Sequence, residues 1–181
     1  MKHPARWIAL TVGLVVAALA VVLALQVGND PQAEQNKSTL LGKAAPSFDL
    51  ATVSGAKVTA RGLAGKAVIV NFWNSWCIPC KQEESALKTF WSRHKNDPNV
   101  AMVGIVRDDT DGDARRYAQS HGMSWTIALD HGSHAALDFA TRGQPETYAI
   151  SPDGVITGSQ YGPVSVANLE TMLASTQSTP Q

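Results

Sequence analysis

The sequence predicts an α/β domain, built on a central mixed β-sheet flanked by helices, behind an N-terminal transmembrane helix. Short apolar runs of strand length alternate with segments of helical periodicity, and a hairpin signal precedes the last helix. This order is typical of a mixed sheet that carries helices on its faces. The third observation is a long uncharged segment close to the N-terminus.

That segment spans residues 7–27 and consists mainly of Ala, Val and Leu. About 20 helical residues cross the ~30 Å hydrocarbon core of a bilayer. Lys2 and Arg6 precede the run, whereas Asp30 and Glu34 follow it. Positive charge collects on the cytoplasmic side, so we expect a cytoplasmic N-terminus and an exported remainder.

A cleaved signal peptide is the alternative interpretation of this segment. The apolar part of a signal peptide is usually about 7–15 residues long, which is shorter than residues 7–27. Ala18-Leu19-Ala20 resembles a cleavage site, but apolar residues continue to Val27. We therefore favour an uncleaved membrane anchor that comprises residues 1–27. Either alternative places the rest of the chain outside the cytoplasm, at the cell membrane or beyond it.

The remainder reads as a tether, one domain and a short tail. Residues 28–45 are polar and lack periodicity, which indicates a tether. The folded domain is expected over residues 46–175, and residues 176–181 form a polar tail. The chain of 181 residues has no net formal charge and is only 17% charged. Nothing in this composition suggests a nucleic-acid partner.

The elements of the domain are predicted in order along the chain. Apolar runs predict buried strands at residues 68–73, 100–106 and 125–129. Helical periodicity continues from the cysteines to about His94, and further helices are expected at residues 114–120, capped by Asp113, and 166–175. The turn residues 151–154 predict a hairpin between residues 147–150 and 155–156. The Asp-rich residues 108–113 lack the ligand frame of a calcium loop, so we interpret them as a solvated loop.

The only cysteines, Cys77 and Cys80, lie where a buried strand ends and a helix begins. A loop this short constrains the unfolded chain very little, so stability is a poor reason for the pair. The first turn of a helix has unpaired N–H groups and the positive end of the dipole, which stabilise a thiolate on Cys77. Pro79 suits that first turn. Cys80 lies one turn deeper, where it could resolve a mixed disulfide on Cys77.

A zinc site is the competing interpretation of the cysteine pair. It would need two further ligands, and His131 and His134 have a suitable spacing. Nothing in the sequence ties these histidines to the cysteines. We therefore favour redox chemistry and expect neither a metal nor another cofactor.

Two glutamates follow the cysteines on the helix. Glu83 falls on the same helical face as Cys80 and Leu87, and Glu84 is nearly as well placed. A carboxylate directed at a buried thiol disfavours a second negative charge there, and it could carry a proton. Solvated glutamates near the helix start are the equally weighted alternative. Pro145 begins a later apolar run, and the sequence leaves its cis or trans state open.

The chain resembles the thioredoxin superfamily over residues 46–175, and more narrowly the DsbE/CcmG, ResA and TlpA group of extracytoplasmic thiol:disulfide oxidoreductases. The resemblance rests on NFWNSWCIPCKQEE, on GQPETYAISPDG, on Tyr161-Gly162-Pro163 and on the N-terminal segment. It implies a three-layer thioredoxin-like fold. The residues Thr141-Arg142 depart from the Val or Tyr that the family often has in that stretch.

The resemblance also implies roles for individual residues. Pro145 would be a cis-proline facing the disulfide, and Gln144 would offer backbone groups to an extended substrate. Glu83 and Glu146 would lie near the active site, where either could assist Cys80 in resolving the mixed disulfide. The remaining expected client contacts are the residues that flank the cysteines, Trp76, Ile78 and Pro79.

The function implied by the resemblance is reduction of the haem-binding cysteines of apocytochrome c, with electrons from a membrane donor of the DsbD/CcdA type. Three alternatives stay open. A general oxidant of exported proteins would use the same motif. A peroxidase would need a Thr three residues before Cys77, where Asn74 stands, and a copper-binding assembly protein typically has CxxxC.

Overall fold

The computed structural model describes residues 7, 11–19, 21 and 38–177. The chain divides into two compact units, Met1–Gln35 and Asn36–Gln181. In the first unit the described residues are helical. No helix within the described part of the chain is long and apolar enough to cross a membrane. The predicted anchor lies partly outside the described residues, as do residues 28–37 of the predicted tether and residues 178–181 of the tail.

The second unit is built on a mixed seven-stranded sheet with the strand order β2-β1-β5-β4-β3-β6-β7. The strands are β1 (Asp49–Thr52), β2 (Lys57–Thr59), β3 (Ala67–Trp73), β4 (Val100–Arg107), β5 (Thr126–Asp130), β6 (Glu146–Ile150) and β7 (Ile156–Tyr161). The three central strands β3, β4 and β5 run parallel to one another. The outer pairs are antiparallel.

Four helices cover the sheet: α1 (Ile78–His94), α2 (Asp111–Ser120), α3 (His134–Asp138) and α4 (Val166–Ser175). Short 3₁₀ turns occur at Arg61–Leu63 and His131–Ser133. One hydrophobic core lies between the sheet and the helices α1, α2 and α4. A second core lies on the opposite face, under α3 and the chain that leads into β1. The predicted three-layer α/β architecture is confirmed.

Strand β3 places the cysteines. All seven of its residues are buried, because it pairs with β4 on one side and β6 on the other and carries a core on each face. A strand buried on both faces is expected to be almost continuously apolar. Its carboxyl end leads directly into the turn that carries Cys77. The sequence prediction for this strand and for the following helix is confirmed.

The predicted cap of α2 is wrong. We expected Asp113 to cap a helix over residues 114–120, but α2 begins at Asp111 and its N-cap is Thr110. The Thr110 hydroxyl accepts the backbone N–H of Asp113 at 3.1 Å. Thr and Asp are both favourable N-cap residues, and in the structure the earlier of the two, Thr110, is the N-cap. Asp113 lies in the first turn instead, where its charge favours the helix dipole.

The predicted boundaries of the domain also shift. Residues 38–45, expected to be tether, belong to the folded unit: Gly42 and Ala45 donate backbone N–H bonds of 2.8 Å to Ile156 and Gly154. Backbone pairing of this kind needs no hydrophobic periodicity, so no pattern in these residues predicts it. At the other end, Thr176 belongs to the predicted polar tail, but the structure buries it as the C-cap of α4.

Candidate active site

Cys77 and Cys80 form a disulfide at the N-terminus of α1, with their Cα atoms 5.3 Å apart. Cys77 is the N-cap residue, and its sulfur accepts the backbone N–H of Cys80 at 3.1 Å. Pro79 lies in the first turn, where its missing N–H leaves no bond unmade. A thiolate on Cys77 would therefore meet both an N–H donor and the positive end of the helix dipole.

Exposed apolar side chains flank the buried disulfide. Trp76 and Ile78 are 56% and 72% exposed, whereas Cys77 is only 4% exposed. Two hydrogen bonds fix the turn before Cys77: the Ser75 N–H donates to the Asp109 carboxylate at 2.7 Å, and the Trp76 indole N–H donates to the Asp108 carbonyl at 3.1 Å. The loop after β4 thus holds Trp76 beside the disulfide, at the surface.

Glu83 is a buried carboxyl group one helical turn after Cys80. It is 1% exposed, and it accepts hydrogen bonds from the Asn71 side chain at 2.8 Å and from the Val164 backbone N–H at 2.9 Å. Burial raises the pKa of Glu83 from 4.5 to about 7, although the two hydrogen bonds act in the opposite direction. Glu83 can therefore gain or lose a proton near neutral pH.

Glu83 and Cys80 line the same small cavity, of about 10 Å³, between α1, α2 and the sheet. The rings of Trp73, Tyr117 and Trp125 close much of it. Since the cavity is about the size of a single water, the carboxyl group and the sulfur lie in a confined environment of low dielectric constant. The helical spacing that predicted Glu83 beside the thiol is thus reproduced in the structure.

Glu84 faces away from this cavity, towards α2. Its carboxylate contacts Lys88 at 2.5 Å, the Tyr117 hydroxyl at 2.8 Å and His121 Nδ1 at 2.7 Å. Partial burial tends to raise the pKa of Glu84, but these contacts outweigh it and lower the pKa. Of the two glutamates that the spacing could not separate, Glu83 is therefore the one beside Cys80.

Pro145 follows Gln144 through a cis peptide bond, as the resemblance implied. The Pro145 carbonyl accepts the backbone N–H of Gly162 at 2.9 Å, which ties the loop to the end of β7. Gly162 has a φ of +84°, a conformation that glycine adopts readily. Pro145 itself is buried, and Gln144 is half-buried.

Glu146 lies on the other face of the sheet from the cysteines. Successive strand residues point to opposite faces, and Thr147 contacts Asn71 on the Glu83 side. Glu146 shares its face with Tyr148, whose hydroxyl lies 3.0 Å from the carboxylate, and with the core beneath α3. Cys77 and Cys80 belong to the opposite core. The structure thus does not bring Glu146 and Cys80 together.

The histidines considered as zinc ligands do not line the cavity beside Cys80. His131 Nε2 lies 2.7 Å from Asp111, and His134 borders a different depression near β1. Within the described residues, no group of three His, Cys, Asp or Glu side chains could hold a metal ion. The geometry of the cysteine pair itself, a disulfide at a helix N-terminus, fits thiol–disulfide exchange.

Sequence reasoning missed the residues that hold Glu83. Asn71 lies in the middle of β3, is 1% exposed, and bonds both Glu83 and the Thr147 hydroxyl. A polar residue inside an otherwise apolar strand must find a buried partner, so Asn71 in VIVNFW was an available signal. The backbone donor of Val164 carried no signal, because any residue could supply it.

Comparison with known proteins places these features in a family. The AhpC/TSA family matches residues 41–159. The chain is 27% identical over 130 residues to the thiol-disulfide oxidoreductase ResA of Bacillus thuringiensis, covering 72% of this chain and 75% of that protein. It is 31% identical over 150 residues to the thiol:disulfide interchange protein DsbE of Allochromatium vinosum, covering 81% and 80%.

Solved structures agree with the sequence relatives. A DsbE thiol:disulfide interchange protein from Chlorobium tepidum aligns with a TM-score of 0.68 at 25% identity, covering 75% of this chain and 97% of that one. The C-terminal domain of a thiol-disulfide oxidoreductase from Bacteroides thetaiotaomicron aligns with a TM-score of 0.66 at 26% identity, covering 74% and 93%. The chain therefore belongs to the AhpC/TSA family, in which it is a thioredoxin-like thiol-disulfide oxidoreductase of the ResA and DsbE type.

Proposed function

We propose that this oxidoreductase works outside the cytoplasm, anchored by its N-terminal segment, and reduces the haem-binding cysteines of apocytochrome c. Electrons come from a membrane dithiol donor of the DsbD/CcdA type. The observation that carries the reducing direction is the buried Glu83 carboxyl group in the cavity beside Cys80. Relatives named ResA and DsbE support the type of enzyme.

The exchange proceeds in two steps. The Cys77 thiolate attacks one sulfur of the client disulfide, forming a mixed disulfide and releasing one client thiolate. The Cys80 thiol then loses its proton and attacks the Cys77 sulfur, so that the second client thiolate leaves. Two electrons have passed to the client, and the Cys77–Cys80 disulfide is the product. The membrane dithiol returns the pair to the reduced form by the reverse exchange.

Glu83 assists the second step and biases the direction. Its pKa of about 7 lets it accept the Cys80 proton when the mixed disulfide is resolved. An ionised Glu83 also disfavours a thiolate on Cys80, and a reduced form without a stabilised thiolate makes a stronger reductant. Glu146 lies on the opposite face of the sheet and takes no part in this proton transfer.

The client binds across the exposed side of the disulfide. Trp76 and Ile78 present apolar surface on either side of Cys77, next to Pro79 at the helix start. The half-buried Gln144 before the cis-proline offers backbone groups to an extended client segment. This surface binds the polypeptide segment around the client cysteines rather than a small-molecule ligand.

The redox potential tests the direction of electron flow. The Cys77–Cys80 pair, equilibrated with glutathione at pH 8, should have a potential well below that of glutathione. Glu83→Gln should raise this potential by about 30 mV, because about tenfold stabilisation of the thiolate form corresponds to that shift. Glu84→Gln, outside the cavity, is the matched control and should leave the potential unchanged. A wild-type potential above that of glutathione would support the oxidant instead.

Trapping tests the nucleophile and the client. Cys80→Ser should accumulate a covalent complex with its client in cells, because the serine cannot resolve the mixed disulfide. Cys77→Ser should accumulate none. The captured protein is then identified by mass spectrometry. Recovery of exported proteins without a haem-binding motif would rule out apocytochrome c as the main client, and the opposite behaviour of the two variants would reverse the assignment of the nucleophile.

A further inference from the structure

Glu146 is a completely buried carboxyl group that the exchange chemistry leaves without a task. It is 0% exposed and begins β6, where it pairs with Phe72 of β3 and Tyr161 of β7. A buried carboxyl group is costly unless its oxygens are hydrogen-bonded. The groups that bind the Glu146 carboxylate therefore indicate its role in the structure.

The Glu146 carboxylate folds back onto the loop that precedes it. One oxygen accepts the backbone N–H of Arg142 at 2.8 Å. The other lies 3.0 Å from the Tyr148 hydroxyl and 3.4 Å from the Arg142 guanidinium. Burial and the neighbouring Glu146 raise the pKa of Tyr148, so that the hydroxyl remains protonated. Each of these contacts lies on the face of the sheet opposite the cysteines.

The end of β7 also holds this loop. The Arg142 guanidinium stacks over the Tyr161 ring at 4.8 Å from its centroid. A Cβ atom at Gly143 would lie 3.4 Å from the same ring, so this residue packs closely there. The Gly162 N–H bonds the Pro145 carbonyl at 2.9 Å. The segment from Arg142 to Pro145 is thus fixed at one end by the Glu146 carboxylate and the Tyr161 ring and at the other by the Gly162 N–H.

We propose that Glu146 is a positioning residue, whose buried carboxylate holds the loop from Arg142 to Pro145 in the shape that binds the client segment. The residue between the two clamped points is Gln144, which offers its backbone to the client. The inference rests on that client contact in the proposed function, but on neither the identity of the client nor the direction of electron flow. A loosened loop weakens client binding, while proton transfer at Cys80 continues.

Reduction of insulin with dithiothreitol as electron donor separates positioning from proton transfer. Glu146→Ala removes the carboxylate that binds the Arg142 N–H and guanidinium, so we expect KM for insulin to rise about tenfold, with kcat within about twofold of wild type. The pH profile of kcat should keep its shape. Glu83→Gln, the reference for a lost proton acceptor, should remove an ionisation from that profile.

A conservative variant sharpens the test. Glu146→Gln keeps one acceptor for the Arg142 N–H and can donate to the Tyr148 oxygen, so KM should rise by no more than about threefold. Tyr148→Phe removes one partner of the carboxylate and leaves the Arg142 bond, so it should also raise KM modestly. It provides a second measurement if Glu146→Ala fails to fold. Glu84→Ala, which removes a carboxylate that faces α2 and does not contact the loop, is the matched control.

Two outcomes would overturn the inference. If Glu146→Gln removes an ionisation from the pH profile with KM unchanged, Glu146 carries a proton. If Glu146→Ala and Tyr148→Phe both leave KM unchanged, the carboxylate does not shape client binding. Neither outcome alters the redox potential or the trapped client, so failure of this inference stays distinct from failure of the proposed function.

Discussion

Glu83 and Glu84 are neighbours in the chain but occupy opposite electrostatic environments. Glu83 is buried beside Cys80, and burial raises its pKa to about 7. Glu84 meets Lys88, Tyr117 and His121, and its pKa is lowered once these contacts outweigh its partial burial. A one-residue step on a helix turns a side chain by about 100°, which is enough to separate the two groups.

These shifts predict opposite dependences of stability on pH in the oxidised protein. The folded-state pKa of Glu83 exceeds its unfolded value of 4.5, so its contribution to stability is fully present below about pH 4.5 and is lost as the pH rises through about 7. The loss amounts to about 3 kcal/mol of unfolding free energy. Glu84 has a lowered pKa, so its contribution is present above its unfolded pKa and is lost as the pH falls.

Urea unfolding at pH 4 and pH 8 measures both effects. Wild type should lose about 3 kcal/mol relative to Glu83→Gln between these two values. Relative to Glu84→Gln, wild type should instead gain stability over the same interval. In Glu83→Gln an NH₂ group replaces one of the two oxygens that accept hydrogen bonds from Asn71 and the Val164 N–H. The variant therefore differs from wild type at every pH, and the readout is the change in unfolding free energy between the two pH values. Parallel pH dependences in all three proteins would contradict the assignment of environments.

Residues of the site differ in how far the sequence could predict them. Helical spacing brought Glu83 to the face of Cys80, and strand alternation would have separated Glu146 from Thr147. Spacing alone could not choose between Glu83 and Glu84, because both lie within one turn of the thiol. The choice depends on which residues pack against each side of α1, and this is tertiary information. The Tyr117 hydroxyl of α2 donates a hydrogen bond to Glu84, whereas the Val164 backbone N–H donates one to Glu83.

At the scale of elements, prediction succeeded where burial is nearly complete. Strands β3 and β4 read as apolar runs because both of their faces are covered, and α4 was predicted with its observed bounds. The short strands β1 and β2 were missed. They lie at one edge of the sheet, where few residues are buried and no apolar pattern builds up. Their pairing is decided by backbone hydrogen bonds to the neighbouring strands.

The start of α2 gives a prediction at this scale. Thr110→Ala removes the hydroxyl that accepts the Asp113 N–H, so it should lower the unfolding free energy by about 1 kcal/mol. Asp113→Asn retains that N–H and should cost less. Chemical denaturation of the two variants at pH 7 measures the difference. A larger loss for Asp113→Asn would show that the first-turn charge, rather than the Thr110 cap, holds the start of the helix.

On the scale of the whole folded unit, the cysteine pair and the N-terminal residues 38–45 lie at opposite ends of the sheet. Cys77 follows the carboxyl end of β3, and Glu146 begins the antiparallel strand β6 at that same end. The turn after β6 lies at the far end, where Ala44 pairs with Val155. A seven-residue strand such as β3 spans about 23 Å. Residues 38–45 thus join the sheet at the end away from the disulfide.

Residues 38–45 give the last prediction. Gly42, Lys43 and Ala45 make three backbone hydrogen bonds with residues 154–156 at the start of β7, an edge strand. A chain beginning at residue 46 loses these bonds and leaves that edge unpaired, so it should be about 3 kcal/mol less stable than a chain beginning at residue 38. The redox potential should be equal in both, because the lost contacts lie at the far end of the sheet from the cysteines. Denaturant unfolding and glutathione equilibration measure the two quantities. Equal unfolding free energies would show that residues 38–45 act only as a tether. A changed redox potential would mean that the two ends of the sheet are energetically coupled.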